Sequence, residues 1–145
     1  MVSVLFDTNI LIDHFAGIKE ATVELERYAD AAITTVTWLE VLSGAEPDEL
    51  REMRDFMSQY TVYELDDVIA DEAAAMRRAA RGDGAKVLKS PDAIVAATAR
   101  YTGRKLITRN TKDFSHSYVH VPYTLSRDDE TGEIVVNILP PMSLP

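Results

Sequence analysis

Four acidic residues stand in apolar stretches, where charged side chains are rarely found unless they are paired or bind a metal. Asp7 closes the run Val4-Leu5-Phe6, and Glu40 lies within Thr37-Trp38-Leu39-Glu40-Val41-Leu42. Asp92 opens Asp92-Ala93-Ile94-Val95-Ala96-Ala97, and Asp113 closes the segment that begins at Lys105. Carboxylates within ~4–6 Å of one another repel, so a site built from them keeps a proton or binds a cation. The chain has no cysteine, and His14, His116 and His120 are scattered rather than arrayed as ligands. The donors are therefore oxygens, which select a hard cation, Mg2+ or Mn2+. Mg2+ commonly takes few carboxylates, keeps waters and accepts phosphate oxygens from a substrate. Such a site suits phosphodiester hydrolysis, in which the ion activates a water, orients it in line with the scissile bond and neutralises developing charge.

Three of the acids also have a plainer reading. Asp7 is a favoured helix N-cap, Glu40 a surface helical acid, and Asp92 a first-turn acid that opposes a helix dipole. Thr8, Asn9, Thr108 and Asn110 lie at the same strand edge. They either hold the carboxylates from a second layer or make local caps and turns. Asp13 reads as surface-facing or as a salt-bridge partner. His116, near Asp113, is the strongest of the three histidine candidates. Ser43 and Ser90 lack a nucleophile elbow, and Gly82-Asp83-Gly84 lacks the Lys-Ser/Thr of a phosphate-binding loop.

The elements that must position these residues follow from pattern. Residues 2–6 predict a buried strand, and its carboxyl end, where Asp7 stands, is where open α/β sheets gather ligands. Helices are expected over 8–15, 18–29 (amphipathic and exposed), 36–43, from Pro47 through Met57, from Asp66 or Asp67 to 80, and 91–101. Glycines at 17, 44, 82 and 103 stop four of them. Strands are expected over 32–35, 62–65, 105–108 and 118–121. Strand–helix alternation implies a mostly parallel sheet with helices on both faces. Residues 123–125 and 134–138 flank an acidic turn and predict a β-hairpin.

A chain of 145 residues, 46% hydrophobic and 27% charged, fits a single soluble domain with a sizeable core. No stretch approaches the ~20 apolar residues of a membrane span, and the N-terminus lacks signal-peptide features. The expected compartment is the cytoplasm. Net charge is −9, which disfavours non-specific nucleic-acid binding, but its distribution is uneven. Residues 77–112 hold ten basic and two acidic residues, a net +8, which leaves −17 for the remainder. That stretch is either a positive wall for a phosphate backbone or a set of solvated helix faces.

The ordered motifs Asp7-Thr8-Asn9-Ile10-Leu11-Ile12-Asp13, Asp92-Ala93-Ile94-Val95-Ala96-Ala97-Thr98-Ala99 and Thr108-Arg109-Asn110-Thr111-Lys112-Asp113-Phe114, with Glu40 between the first two, resemble the PIN-domain family. Within it they are similar to the VapC-like toxin ribonucleases of type II toxin–antitoxin pairs. The resemblance covers residues 2–122. It implies a three-layer α/β/α domain over 1–122, leaving 123–145 as a C-terminal extension packed on it. It further implies an Mg2+- or Mn2+-dependent endoribonuclease, with Asp7 and Asp92 as primary ligands and Glu40 and Asp113 binding directly or through water. RNA is then the substrate, a cognate antitoxin the partner, and a homodimer the assembly. Lys86, Lys89, Arg109 and Lys112 are expected RNA contacts. Two other classes compete. A non-catalytic binding module would keep the acids as a structural cluster, and completeness of the set argues against it. A phosphatase of the haloacid-dehalogenase type would need a second Asp two residues after Asp7, where Asn9 stands.

Overall fold

Side-chain alternation along three short strands divides the core in two. In the computed structural model, which describes residues 2–114 and 118–142, β1 (Ser3–Phe6), β2 (Asp30–Thr34) and β4 (Lys105–Ile107) are the inner strands of a sheet. Val4, Phe6, Ile33 and Ile107 face one side and meet Ile10, Leu11, Ala21, Leu25, Val41, Met53 and Met57. Those residues come from α1 (Thr8–Phe15), α2 (Lys19–Arg27), α3 (Thr35–Ser43) and α4 (Leu50–Met57). Leu5, Ala32 and Leu106 face the other side and meet Val95, Ala96 and Ala99 of α6 (Ser90–Thr102), with Phe114. Ile69 and Ala73 of α5 (Asp67–Gly82) pack on Ala93 and Ala97 of α6. The result is the expected α/β/α sandwich. Burying both faces of the sheet is what its near-continuous apolar strands require.

With β3 (Thr61–Tyr63) and β5 (Val119–His120), the sheet is five-stranded, in the order β3-β2-β1-β4-β5. Every described pairing in it is parallel. From β1 the chain winds outwards through β2 and β3, then returns to the other side of β1 with β4. The order therefore reverses between β1 and β4, and Leu5↔Leu106 and Phe6↔Ile107 set their register. A crevice opens outside the carboxyl ends of two such strands.

Local chemistry ends most helices where the sequence predicts. Asp66 caps α5 by accepting the Ile69 N–H at 2.8 Å, and Gly103 ends α6 with φ +69°, a left-handed conformation that glycine adopts without strain. Two expectations shift. The helix expected from Pro47 starts at Leu50, with residues 47–49 in a turn. The helix expected to be exposed, α2, buries Ala21, Glu24 and Leu25; its apolar stripe is narrow, but the sheet face opposite is fully apolar.

The expected hairpin is present as β6 (Tyr123–Arg127) and β7 (Ile134–Ile138), antiparallel and separate from the main sheet. Tyr123 is buried in the first core, and Leu125 and Val136 pack against that core. Among the described residues no helix is long and apolar enough to cross a membrane.

A candidate metal centre at the switch point of the sheet

The reversal between β1 and β4 places Asp7 and Thr108 side by side. The Asp7 N–H continues the ladder by donating to the Ile107 carbonyl (2.9 Å). Thr108 Oγ1 donates to Asp7 Oδ2 (2.8 Å), and the Thr8 N–H donates to Asp7 Oδ1 (2.8 Å). Asp7 is thus both the N-cap of α1 and a buried acid at the crevice. Asn9 Nδ2 lies 3.1 Å from Thr108 Oγ1 and 3.4 Å from Asp7 Oδ2, and its Oδ1 accepts the Arg109 N–H. The amide of Asn9 therefore ties the start of α1 to the segment after β4.

Glu40 reaches the same place from α3. Thr8 Oγ1 donates to Glu40 Oε1 at 2.8 Å, and lies 2.9 Å from Thr37 Oγ1. A hydroxyl carries one proton, so Thr37 is the donor in the second contact. Thr37 is fully buried and was not singled out by sequence pattern. Its position three residues before Glu40, on the same helical face, is the signal that finds it.

Asp92 lies in the first turn of α6, after Pro91. Asp113 lies in a turn closed by Asn110, whose Oδ1 accepts the N–H groups of Lys112 and Asp113 while its Nδ2 donates to Asp113 Oδ2 (2.8 Å). Lys86, from the loop after α5, is ion-paired with Asp113. Thr8, Asn9 and Thr108 are thus bonded to Asp7, Thr8 also to Glu40, and Asn110 to Asp113; Asp7 is buried, Asp92 and Asp113 are partly buried, and Glu40 is exposed.

Electrostatics link the acids into one group. Burial pushes the Asp7 carboxyl up to about 6; bonds from Thr108 and the Thr8 N–H oppose this, and Asp92 and Glu40 add to the rise. Burial also raises Asp92, helped by Asp113 and Glu40 and opposed by Lys89 and Lys86. Lys86 and then Asn110 hold Asp113 below the ordinary carboxylate range. As placed, no three Asp, Glu or His side chains among the described residues stand close enough to share one ion. Mg2+ does not need three, since one or two carboxylates with water complete its shell. Oxygen donors whose charges raise one another's affinity for a proton fit such a cation.

The expected RNA contacts divide. Lys86, Lys89 and Lys112 are exposed on the Asp92–Asp113 side. Arg109 instead holds Asp13 through two bonds, Nε at 2.6 Å and Nη2 at 3.1 Å, and Tyr123 Oη donates to the same carboxylate at 2.8 Å. Asp13 is buried, with side-chain exposure of 5%, so of its two readings the salt bridge holds. Arg104, another of the basic stretch, pairs with Asp30 at 2.9 Å. His14 bonds Thr22 and stacks on Phe56, and burial lowers the pKa of His120, whose Nε2 has no partner. His116 lies outside the described residues.

A parallel α/β domain with acids at its switch point defines a class, and comparison identifies the family within it. Residues 4–118 match the PIN domain. The chain belongs to the PIN-domain family. It is similar, at 41% identity and a TM-score of 0.76, to a chain of a toxin–antitoxin complex from Klebsiella pneumoniae, with 84% of this chain and 99% of that one covered. It shares its fold with a chain of DNA-bound VapBC from Salmonella typhimurium (23% identity, TM-score 0.68, coverage 80% and 92%). The same holds for FitAcB from Neisseria gonorrhoeae (20% identity, TM-score 0.64, coverage 74% and 88%). No curated protein matches.

Proposed function

We propose that this chain is a divalent-metal-dependent endoribonuclease and the toxin of a toxin–antitoxin pair. The observation that carries this reading is the buried Asp7 at the carboxyl end of β1, fixed by Thr108 and the Thr8 N–H and joined to Glu40 through Thr8. PIN-family membership and the similarity to a toxin–antitoxin complex support it.

Asp7 and Asp92 would hold Mg2+ or Mn2+ directly, with Glu40 and Asp113 binding it directly or through water. The cation supplies, when bound, an activated water for in-line attack at phosphorus and neutralises the charge that develops there. The chain does the positioning. Thr108 and the Thr8 N–H fix both oxygens of Asp7, Thr8 and Thr37 orient Glu40, and Asn110 orients Asp113. Lys89 and Lys112 are placed to meet substrate phosphates, and Lys86, ion-paired with Asp113, would join them once a cation takes that carboxylate. Arg109 is held in its ion pair with Asp13, so its contribution is to anchor the segment after β4. The protein acts in the cytoplasm as a homodimer, with an antitoxin protein blocking the crevice.

Cleavage of total cellular RNA tests this, with Mn2+, Mg2+ or EDTA, beside Asp92→Asn. Discrete fragments that require metal and vanish in the variant are expected. Intact RNA after incubation with antitoxin-free protein would point instead to a non-catalytic binding module.

A further inference from the structure

Asp113 also lines a groove of about 370 Å³ enclosed by α5, the loop after it, α6 and the Asn110–Asp113 turn. The more deeply placed lining residues are apolar. Met76 and Leu88 are partly buried against the core beneath, and Ala80 lies between the buried and exposed extremes. The outer lining is cationic: Lys112 is exposed, Lys86 is exposed and ion-paired with Asp113, and Arg100 is half exposed and ion-paired with Glu72 at 3.7 Å. Arg77 lines the groove too, and its Nε donates to the Leu88 carbonyl at 2.9 Å, which fixes the guanidinium at the wall. Four cationic side chains thus line the groove with two acidic ones, Asp83 and Asp113, while Glu72 pairs Arg100 from outside it. A cation at Asp113 would leave the balance more positive still.

An apolar base with a cationic rim, continuous with a phosphodiester-cleaving centre, matches a nucleotide removed from its stack. The flat base meets the apolar surface and the phosphates meet the rim. We propose that this groove takes one unstacked nucleobase of the RNA strand beside the scissile phosphate. This inference rests on the ribonuclease reading above.

The test uses a short RNA spanning a cut site mapped with the wild-type chain, and a series of the same RNA with one abasic position each. Binding is measured to full-length Asp7→Asn protein, which does not turn over. At one position next to the cut, loss of the base is expected to weaken binding roughly tenfold, through lost apolar burial. Ala80→Trp fills the groove. It is expected to weaken the intact RNA by a similar factor and to remove the sensitivity to that abasic position. Ala79→Trp, at an exposed lining position, keeps the test valid where Ala80→Trp does not fold. RNA that is cleaved by wild type but bound equally well at every abasic position overturns the groove alone. An oligoglutamate peptide that binds the groove, and that either Trp variant releases without releasing the RNA, overturns it too. RNA that is never cleaved overturns the ribonuclease reading and the groove with it.

Discussion

Asp7 carries an electrostatic cost that a bound cation would remove. Its carboxyl is raised from 3.8 to about 6, chiefly by burial. Between these values the folded chain holds a proton that the unfolded chain has lost, so stability falls as pH rises from about 4 to about 6. Two pH units correspond to about 3 kcal/mol. Asp7→Asn keeps a good N-cap and removes the charge. In EDTA near neutral pH this variant is expected to melt several degrees above wild type, with the difference disappearing towards pH 4; a wild type that melts higher near neutral pH would contradict this. Asp13 is also buried, and Arg109 and Tyr123 satisfy its carboxylate. Arg109→Ala leaves that carboxylate buried with only Tyr123, and is expected to cost about 3 kcal/mol in urea unfolding. An unchanged midpoint would show that the pair contributes nothing. At this scale the four acids of the candidate site were legible because charge in an apolar run is conspicuous. The burial of Asp13 was not, because its partners stand 96 and 110 residues away.

The elements position these side chains through their ends. β1 delivers Asp7, the segment after β4 delivers Thr108 and Asp113, and the first turn of α6 delivers Asp92. Strand periods and glycine stops made this order readable in advance, down to the limits of α1. The start of α4 was less legible, since Pro47 suits either a first helical turn or the turn that precedes one. Gly103 is a useful probe of the α6–β4 connection. Its φ of +69° disfavours a side chain, and no atom lies within 4 Å of an added Cβ. Gly103→Ala is therefore expected to lower stability by about 1 kcal/mol through backbone strain alone, read from the thermal midpoint. A larger loss would mean that α6 itself had moved.

Across the whole molecule, the C-terminal hairpin is joined to the site through Asp13. The family match ends at residue 118, yet Tyr123 is buried in the first core and bonds Asp13 beside Arg109. A chain ending at Pro122 loses both packing and hydrogen bond. It is expected to lose about 3 kcal/mol or more, whereas Tyr123→Phe, which keeps the ring, should lose about 2 kcal/mol. Equal stability of the truncated and full chains in urea would make the hairpin a bystander. The hairpin itself was legible from its acidic turn, but its docking was not, because a lone tyrosine in a strand does not announce its partner. The basic stretch was legible as charge only, and the fold allots part of it to structure, through Arg104 and Arg109, and part to the crevice.

Everything proposed for the crevice depends on a cation held at Asp7 and Asp92, with Glu40 and Asp113 beside it. Calorimetric titration of Mn2+ into the purified chain decides this, near pH 7.5 and near pH 5, with Asp92→Asn alongside. Binding at the higher pH is expected to weaken as Asp7 takes up its proton below about 6, and to be lost or greatly weakened in the variant. Absence of binding, or binding indifferent to both pH and Asp92→Asn, would contradict a shared cation site.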